Sequence, residues 1–562
     1  MSDSLTKTSL RPKLKAYLWI IGILLALWLG FVFLVYLKAQ ETNMELRDIN
    51  SVTRWGIAAI LGAILLVYSG HWWGKAVAHE KTELAAYKSN VVAQASEQQA
   101  TQKRIYALEI RGVGVAVGGW HQSSIWRKVQ EKKNNFISIY SQNPKDYTDS
   151  LLSRENTQKI NTRAAFKHSA GESVSYWPIP TFALGPPNPY EKPYRAADLI
   201  NFGRNEATLG VTQLLWQNDE NTSQAQSMIV QLFQFFEDNP KVPQALIASE
   251  DGDVTRDIYR KRGTPGLQNA QVVPTVFESM TGLLITRSDR VERYIRPYAT
   301  NDAEDNQNKD TDLGKLWAFY WEQPRKFRKL YEDAEKAKGI KDALAPGTMS
   351  TAYWQSQLPT LWKTISNRGP GNFEPSPWLP IRWGQHQVKE FDAAPVLGYL
   401  HRPIKAPMQD ENGKRLKPAL QAKALQAAWV QALGTLPEGQ KPVRVFYDST
   451  NNPEAEIALN NALHDLNKDG HGLELGNVEE GYDIGRRLGN TGVSGALVEI
   501  NLATIASYKD GGVSAVVYAG TDGSLTVQMV RPPDEARKAK NSQNRGADPF
   551  TYGSPTGGAP TE

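Results

Sequence analysis

Ala16 to Leu37 reads AYLWIIGILLALWLGFVFLVYL, 22 consecutive residues without a charge. As a helix rising about 1.5 Å per residue, that run crosses a hydrocarbon core of roughly 30 Å. A second apolar run, Trp55 to Trp73, ends in HWW, an aromatic cluster of the kind that sits at a membrane–water interface. The first run is too long for the apolar core of a cleaved signal peptide, and no small-residue cleavage site follows it. Residues 1–75 therefore read as a membrane hairpin with spans at 16–37 and 55–73. In the tail before the first span, Lys7, Arg11, Lys13 and Lys15 stand against Asp3 alone. Basic flanks stay on the cytoplasmic side, so the expectation is a two-pass protein whose remaining residues are cytoplasmic.

Those remaining residues are enough for two or three domains with full cores. A net charge of +5 over 562 residues makes no case for a nucleic-acid partner. The chain contains no cysteine. That excludes disulfides, thiolate-held zinc, iron–sulfur clusters and a cysteine nucleophile.

Residues 76–104 lack glycine and proline, and Leu84, Tyr87, Val91 and Ala95 recur at helical spacing, which predicts a helical stalk. From 105 to about 300, strands alternate with helices. The strands are IYALEIRGVGVAV, ATLGVTQLLWQ and PQALIASEDG; the helices are SSIWRKVQEKKNNFISIYSQ and SQAQSMIVQLFQFFEDN. NDAEDNQNKDTD marks a boundary, and 301–394 form a helical, tryptophan- and proline-rich connector. The alternation resumes over 395–532 with PVLGYLHRP, ALQAKALQAAWVQAL, VRVFYDS and PEAEIALNNALHDL. A short strand GLEL, a helix around GYDIGRRLG, and strands GALVEINL, SAVVYAG and SLTVQMV complete it. Residues 533–562 are polar and rich in Pro, Gly and Ser, and read as a disordered tail. The fold class is α/β: two transmembrane helices followed by two α/β domains.

Gly112, Gly114 and Gly118 have a spacing that could cradle a dinucleotide. Yet Val113, Val115 and Val117 alternate with small residues, and the first helix cap comes only at Ser123 or Ser124. Dinucleotide binding needs helix N–H groups directly after the glycines, so these glycines read as packing residues in a strand. DLNKDGHG begins like a calcium loop with Asp465, Asn467, Asp469 and Gly470, but its twelfth position is Gly476 rather than a bidentate glutamate. It reads as a helix C-terminus. ASEDGD sets Ser249, Glu250, Asp251 and Asp253 at the carboxyl end of a buried strand, where α/β proteins place ligands. Glu250, Asp251 and Asp253 could hold a divalent metal, or Arg256 could simply neutralise them. GVSGA at 492–496 lacks the last glycine of a nucleophile elbow, and His121 has no motif partner.

The opening strand, tight turn and SIWRKVQEKKN helix resemble the start of thiolase-type condensing enzymes, which implies a duplicated fold without their cysteine chemistry. A broader likeness rests on VGVAVGGWHQSSIWRKVQ, FALGPPNPY, ALIASEDGDVTRD, LLITRSDRVERYIRPY and RVFYDSTNNPE. This series resembles the type VI lipase adapter proteins. The resemblance implies a non-enzymatic role without cofactor, at a bacterial inner membrane: binding a phospholipase effector and helping to load it onto a type VI secretion spike. The alternative is a membrane-bound α/β enzyme, either a thiolase-fold relative lacking the cysteine or a metal-dependent hydrolase built on the acidic loop 250–253.

Overall fold

The computed structural model describes residues 14–42, 50–75, 77–78, 81 and 106–551, apart from 188–194, 218–223, 262, 303, 340–344, 451 and 521. The stalk expected at 76–104 lies almost wholly outside the described residues. The chain divides into two compact units, Met1–Lys103 and Arg104–Glu562.

In the first unit, α1 (Leu14–Thr42) and α2 (Asn50–Lys75) are both long and apolar enough to cross a membrane. They lie side by side and antiparallel. The Tyr17 hydroxyl is 2.6 Å from His71 Nδ1, its ring meets Tyr68 edge-on at 5.2 Å, and the Trp28 indole lies over Gly56.

The second unit begins with β1 (Ala107–Val117) and β2 (Trp120–His121), then α3 (Gln122–Glu131) and α4 (Leu151–His168). Next come β3 (Pro178–Leu184), α5 (Arg195–Glu206), β4 (Gln213–Trp216), α6 (Ala225–Asp238), β5 (Gln244–Asp251), α7 (Asp253–Ile258), β6 (Ser279–Thr286) and α8 (Ser288–Tyr294). The connector holds α9 (Asp312–Ala337), α10 (Thr351–Trp362) and α11 (Gln385–Ala393). The second half runs β7 (Gly398–His401), β8 (Ile404–Ala406), α12 (Pro418–Leu433), β9 (Pro442–Tyr447), α13 (Pro453–Asn467), β10 (Gly481–Asp483), α14 (Ile484–Leu488), α15 (Gly495–Asp510), β11 (Val513–Ala519) and β12 (Leu525–Arg531), and α16 (Glu535–Arg545) follows. Side-chain caps start many of these helices, as with Ser150 on α4, Thr311 on α9 and Asn452 on α13.

The strands form one mixed sheet in the order β10-β9-β11-β12-β7-β1-β6-β5-β3-β4. It is a duplication. Numbered within each half, the main strands take the order 3-2-4-5-1 twice, with the same parallel and antiparallel pairings. The halves join where β1 and β7 pair antiparallel, Leu108 opposite Leu400. Such a duplicated arrangement is what the thiolase likeness implied.

Alternation along β1 sorts its side chains between two cores. Val113, Val115 and Val117 enter a central core shared with α3, α6, α15 and both halves of the sheet. Ala116 faces the opposite way, into an outer core beneath α4 and α5. The second half has its own outer core under α12 and α13. The layers thus run α4/α5, half-sheet, α6/α15, half-sheet, α12/α13. The connector packs its tryptophans Trp354 and Trp383, with Trp177, into a fourth core. The glycines of β1 do lie within a strand: a Cβ on Gly114 would run into the carbonyl of Ala165, so α4 sits directly on the strand backbone.

Several sequence expectations need correction. GALVEINL is not a strand but the start of α15, buried on nearly every side between the two half-sheets. GLEL forms no strand; the strand is Gly481–Asp483, followed by the short α14. The helix expected through NNFISIYSQ stops at Glu131. Residues 533–551 are not a disordered tail. Asn541 on α16 exchanges hydrogen bonds with the backbone of Val396 at 3.1 and 2.8 Å, and Phe550 is buried against Tyr508. Polar composition misleads here because two buried side chains suffice to tie the segment down.

Candidate functional site

β5 carries Ser249, Glu250 and Asp251 to the carboxyl end of the sheet, and Gly252 (φ +153) turns the chain into α7 at Asp253. Successive strand residues face opposite sides, so these carboxylates separate. Glu250 points to α4, accepting a hydrogen bond from Gln158 Nε2 at 2.5 Å with Thr162 Oγ1 at 3.4 Å. Burial pushes its carboxyl up to about 7. Asp251 is fully buried on the other side. It pairs with Arg256 through two bonds of 2.7 and 2.9 Å and accepts the backbone N–H of Val493 at 2.8 Å. Asp253 accepts the backbone N–H groups of Thr275 and Val276 at 2.8 and 3.1 Å. Ser249 shares a 2.6 Å hydrogen bond with Thr281.

Glu278, absent from the sequence reading, completes the turn. It accepts from the N–H of Val254 at 2.5 Å and the hydroxyl of Thr255 at 2.9 Å, and burial takes its carboxyl to about 8. A Cβ on Gly252 would collide with it. Among the described residues no three His, Asp or Glu side chains converge so as to hold a metal ion. The acidic loop is a knot of structural bonds tying β5 to α4, α7 and the loop before α15.

The other motifs fall into structural places. Asp465 bonds Lys468 at 2.7 Å, and Gly470 (φ +71) ends the last turn after α13. His121 is the N-cap residue of α3, and burial lowers its pKa. Ser494 is buried at the start of α15.

A groove lies where the two halves meet. After α3 the chain passes Phe136 at φ +49, a region that few side-chain-bearing residues occupy. Arg487 of α14, 1% exposed, fastens this segment. Its guanidinium donates to the carbonyls of Lys132 and Lys133 at 3.1 and 2.8 Å and lies 4.9 Å from the centre of the Phe136 ring. The Ile139 N–H returns a 2.9 Å bond to the Arg487 carbonyl. Beside Phe136 opens a groove of about 350 Å³, lined across from it by Tyr447, Ile457, Leu475 and the ion pair of Arg486 with Glu456. Arg486 also reaches Asp483 at 3.0 Å.

Tyr447 and Asp483 end β9 and β10, so the groove sits at the carboxyl ends of parallel strands, where α/β folds bind ligands. Phe136 and Ile457 are 40% and 54% exposed. The sequence reading missed this place because it ran a helix through Phe136. Its one local signal is an apolar pair, Phe136 and Ile137, after the polar run EKKNN.

Comparison with solved structures finds ketosynthases. The ishigamide ketosynthase/chain length factor is 8% identical with a TM-score of 0.38, over 76% of this chain and all of that one. The ketosynthase from module 6 of the Bacillus subtilis 168 bacillaene synthase is 9% identical with a TM-score of 0.38, over 76% of this chain and 71% of that one. Likeness at that level carries no argument about chemistry, and the duplication described above rests on the strand order itself. Family comparison is specific. The model for the type VI lipase adapter protein Tla3, N-terminal, matches residues 106–270, and that for its C-terminal region matches residues 397–532. With both halves matched over more than half of its length, this chain belongs to the type VI lipase adapter protein Tla3 family.

Proposed function

We propose that this chain is a membrane-anchored, non-enzymatic adapter that binds a phospholipase effector in the cytoplasm and assists its loading onto a type VI secretion spike. The observation that carries the reading is the match of both halves to one adapter family. Two further features support it. Asp251 and Asp253, the best catalytic candidates in the sequence, spend their oxygens on Arg256 and on backbone N–H groups. The two apolar helices give an anchor, and the basic tail before the first favours a cytoplasmic body.

The test is co-purification of the full chain from detergent-solubilised membranes of a strain with an active type VI system. A lipase is expected in the eluate, with the spike protein recovered in the same complex. An eluate without lipase overturns the adapter reading. A reporter fused to the C-terminus checks orientation separately: cytoplasmic signal is expected, and periplasmic signal refutes the placement.

A further inference from the structure

We propose that Asp448, Thr491 and Glu499 form a binding site for a hard divalent cation, of the magnesium or calcium kind, over Gly495 at the start of α15. The site is independent of the adapter reading.

The three residues come from separate parts of the second half. Asp448 directly follows β9, and Tyr447 lies opposite Val517 in the parallel pair with β11, so Asp448 and Tyr518 end neighbouring strands. β10 runs parallel on the other side of β9. Carboxyl ends of parallel strands are where α/β folds place ligands. Thr491 stands in the loop before α15, and Glu499 lies one helical turn after Gly495. Gly495 shows where they meet. A Cβ built there would have the Thr491 hydroxyl oxygen at 3.5 Å and Asp448 Oδ2 at 3.6 Å as neighbours. A helical side chain leans toward the N-terminus, so Glu499 covers the face of the residue four places before it. Glycine at that place leaves its carboxylate room to reach the other two oxygens. Asp448 is fixed from behind, since its Oδ1 accepts the Thr450 N–H at 2.6 Å and a Cβ on Gly485 would strike it.

Two of these oxygens are orphans. Thr491 Oγ1 and Glu499 Oε2 are sealed from solvent, on residues each 1% exposed, and neither has a hydrogen-bond partner among the described residues. Leaving a buried carboxylate unpaired is costly. The charges that act on Glu499 are Asp448 and Asp483, both of its own sign, and burial with that repulsion lifts its carboxyl well above the usual range. Burial raises Asp448 as well. Asp483 already accepts from Ser449 and Arg486. The N-terminus of α15 offers about half a positive charge, against two carboxylates. A divalent cation neutralises both. It also suits a narrower gap than water does, because it takes oxygens at roughly 2.0–2.6 Å against ~2.8 Å for a hydrogen-bonded water. An all-oxygen donor set favours magnesium or calcium over zinc or copper. Asp448, only partly buried, gives the ion its way in. At the matching place of the first half the residue after β3 is Gly185, so the duplicated fold does not itself require a carboxylate there.

The experiment uses the full chain in detergent, stripped with a chelator and kept in metal-free buffer at about pH 8, where carboxylates give up their protons to a metal. Mg²⁺, Ca²⁺ and, as a paramagnetic stand-in, Mn²⁺ are added separately. Tm is followed by scanning fluorimetry, and bound Mn²⁺ by electron paramagnetic resonance. A cation about a hundredfold above its Kd is expected to raise the wild-type Tm by a few degrees, with about one equivalent of Mn²⁺ bound per chain. Glu499→Gln and Asp448→Asn keep the side-chain shapes and remove one charge each. Both are expected to weaken cation binding at least about tenfold and to abolish the Tm rise. Glu499→Gln should also show, in chelator, a Tm at or above that of wild type, which marks it as folded. Asp465→Asn, in the DLNKDG loop, is expected to respond as wild type. A wild type whose Tm and resonance signal ignore all three cations overturns the site, and Glu499 then holds a proton instead. A cation response retained in Glu499→Gln overturns it too, because the ion then binds elsewhere. The adapter reading stands or falls separately, on capture of a lipase.

Discussion

Gly114 and Gly282 stand opposite each other on β1 and β6, and α4 lies across the pair. A Cβ on Gly114 would meet the Ala165 carbonyl, and one on Gly282 would meet the Ser169 hydroxyl. Gly114→Ala therefore forces helix and sheet apart, and calorimetry should show a loss of about 1–3 kcal/mol, the usual range for overpacking. Asp251 makes the opposite kind of contact, since it is buried and paired. Asp251→Ala leaves the Val493 N–H without its acceptor, while water takes over the 41% exposed Arg256 guanidinium, and it should cost about 1–3 kcal/mol in denaturant titration. Glu250 links stability to pH. Its carboxyl is raised to about 7 when folded, against an ordinary value of 4.5. Below about 4.5 both folded and unfolded chains hold the proton. Between about 4.5 and 7 only the folded chain does, so stability falls as pH rises, and above about 7 the buried charge exerts its full penalty. The Glu250 contribution to the wild-type Tm should thus decline from about pH 5 to pH 8. Glu250→Gln, which keeps an acceptor for Gln158, should flatten that decline and be the more stable protein at pH 8, by up to about 3 kcal/mol. Glu278, raised to about 8 by its own burial, and the fully buried Glu499 add to the downward slope, while His168 and His401, lowered to about 4 by burial, oppose it between about pH 4 and 6.5.

At the scale of elements, α16 and the residues after it act as a strap. Beyond the bonds of Asn541, Arg545 pairs with Glu172 of the first half, and Asp548 accepts from Ser123 at the start of α3 at 3.1 Å. Phe550 closes it, 1% exposed in the central core. Phe550→Ala should lower stability by about 3–5 kcal/mol and open the segment after Pro533 to limited proteolysis; resistance equal to wild type would show that the strap is held elsewhere. Elements of this kind mark the limit of what the sequence reveals. The strand nature of β1 was legible, because valines at a period of two leave one reading, and so were the helical ends around Gly470. The region of α15 was not. A helix buried on all sides, GALVEINLATIAS, sets Glu499, Asn501, Thr504 and Ser507 among its apolar residues on every face, so neither a 3.6-residue nor a two-residue period stands out. Residues 151–168 hid α4 for the opposite reason, since the helix buries Gln158, Asn161 and Thr162 along with Ala165 and Phe166. In the acidic loop, Arg256 as the counter-charge was legible in the sequence, but the hydrogen bonds from Gln158 and Val493 were not, because those donors lie far along the chain. The groove was invisible, since its two walls are more than 300 residues apart and its floor depends on one unusual backbone angle at Phe136.

For the whole molecule, the important fact is that the two halves share a core. Side chains of α6 from one half and α15 from the other enter the same central cluster, and β1 and β7 make the sheet continuous. Neither half could be removed without exposing that cluster to water. Residues 104–562 should therefore unfold in guanidinium in a single transition, with tryptophan fluorescence and far-UV circular dichroism coinciding; two separated transitions would refute the shared core. The same intimacy raises a question of inheritance. A duplicated chain can keep working only if its copies continue to fit as each accumulates changes. Arg487 shows how this seam meets that demand. Its bonds end on the main-chain oxygens of Lys132 and Lys133, and its own carbonyl receives a main-chain N–H from Ile139. Those bonds follow the path of the backbone, and the Phe136 ring and the Ser138 hydroxyl of the facing segment add side-chain contacts to them. Charges on the rim can therefore be altered while the main-chain joint that shapes the groove stays as it is.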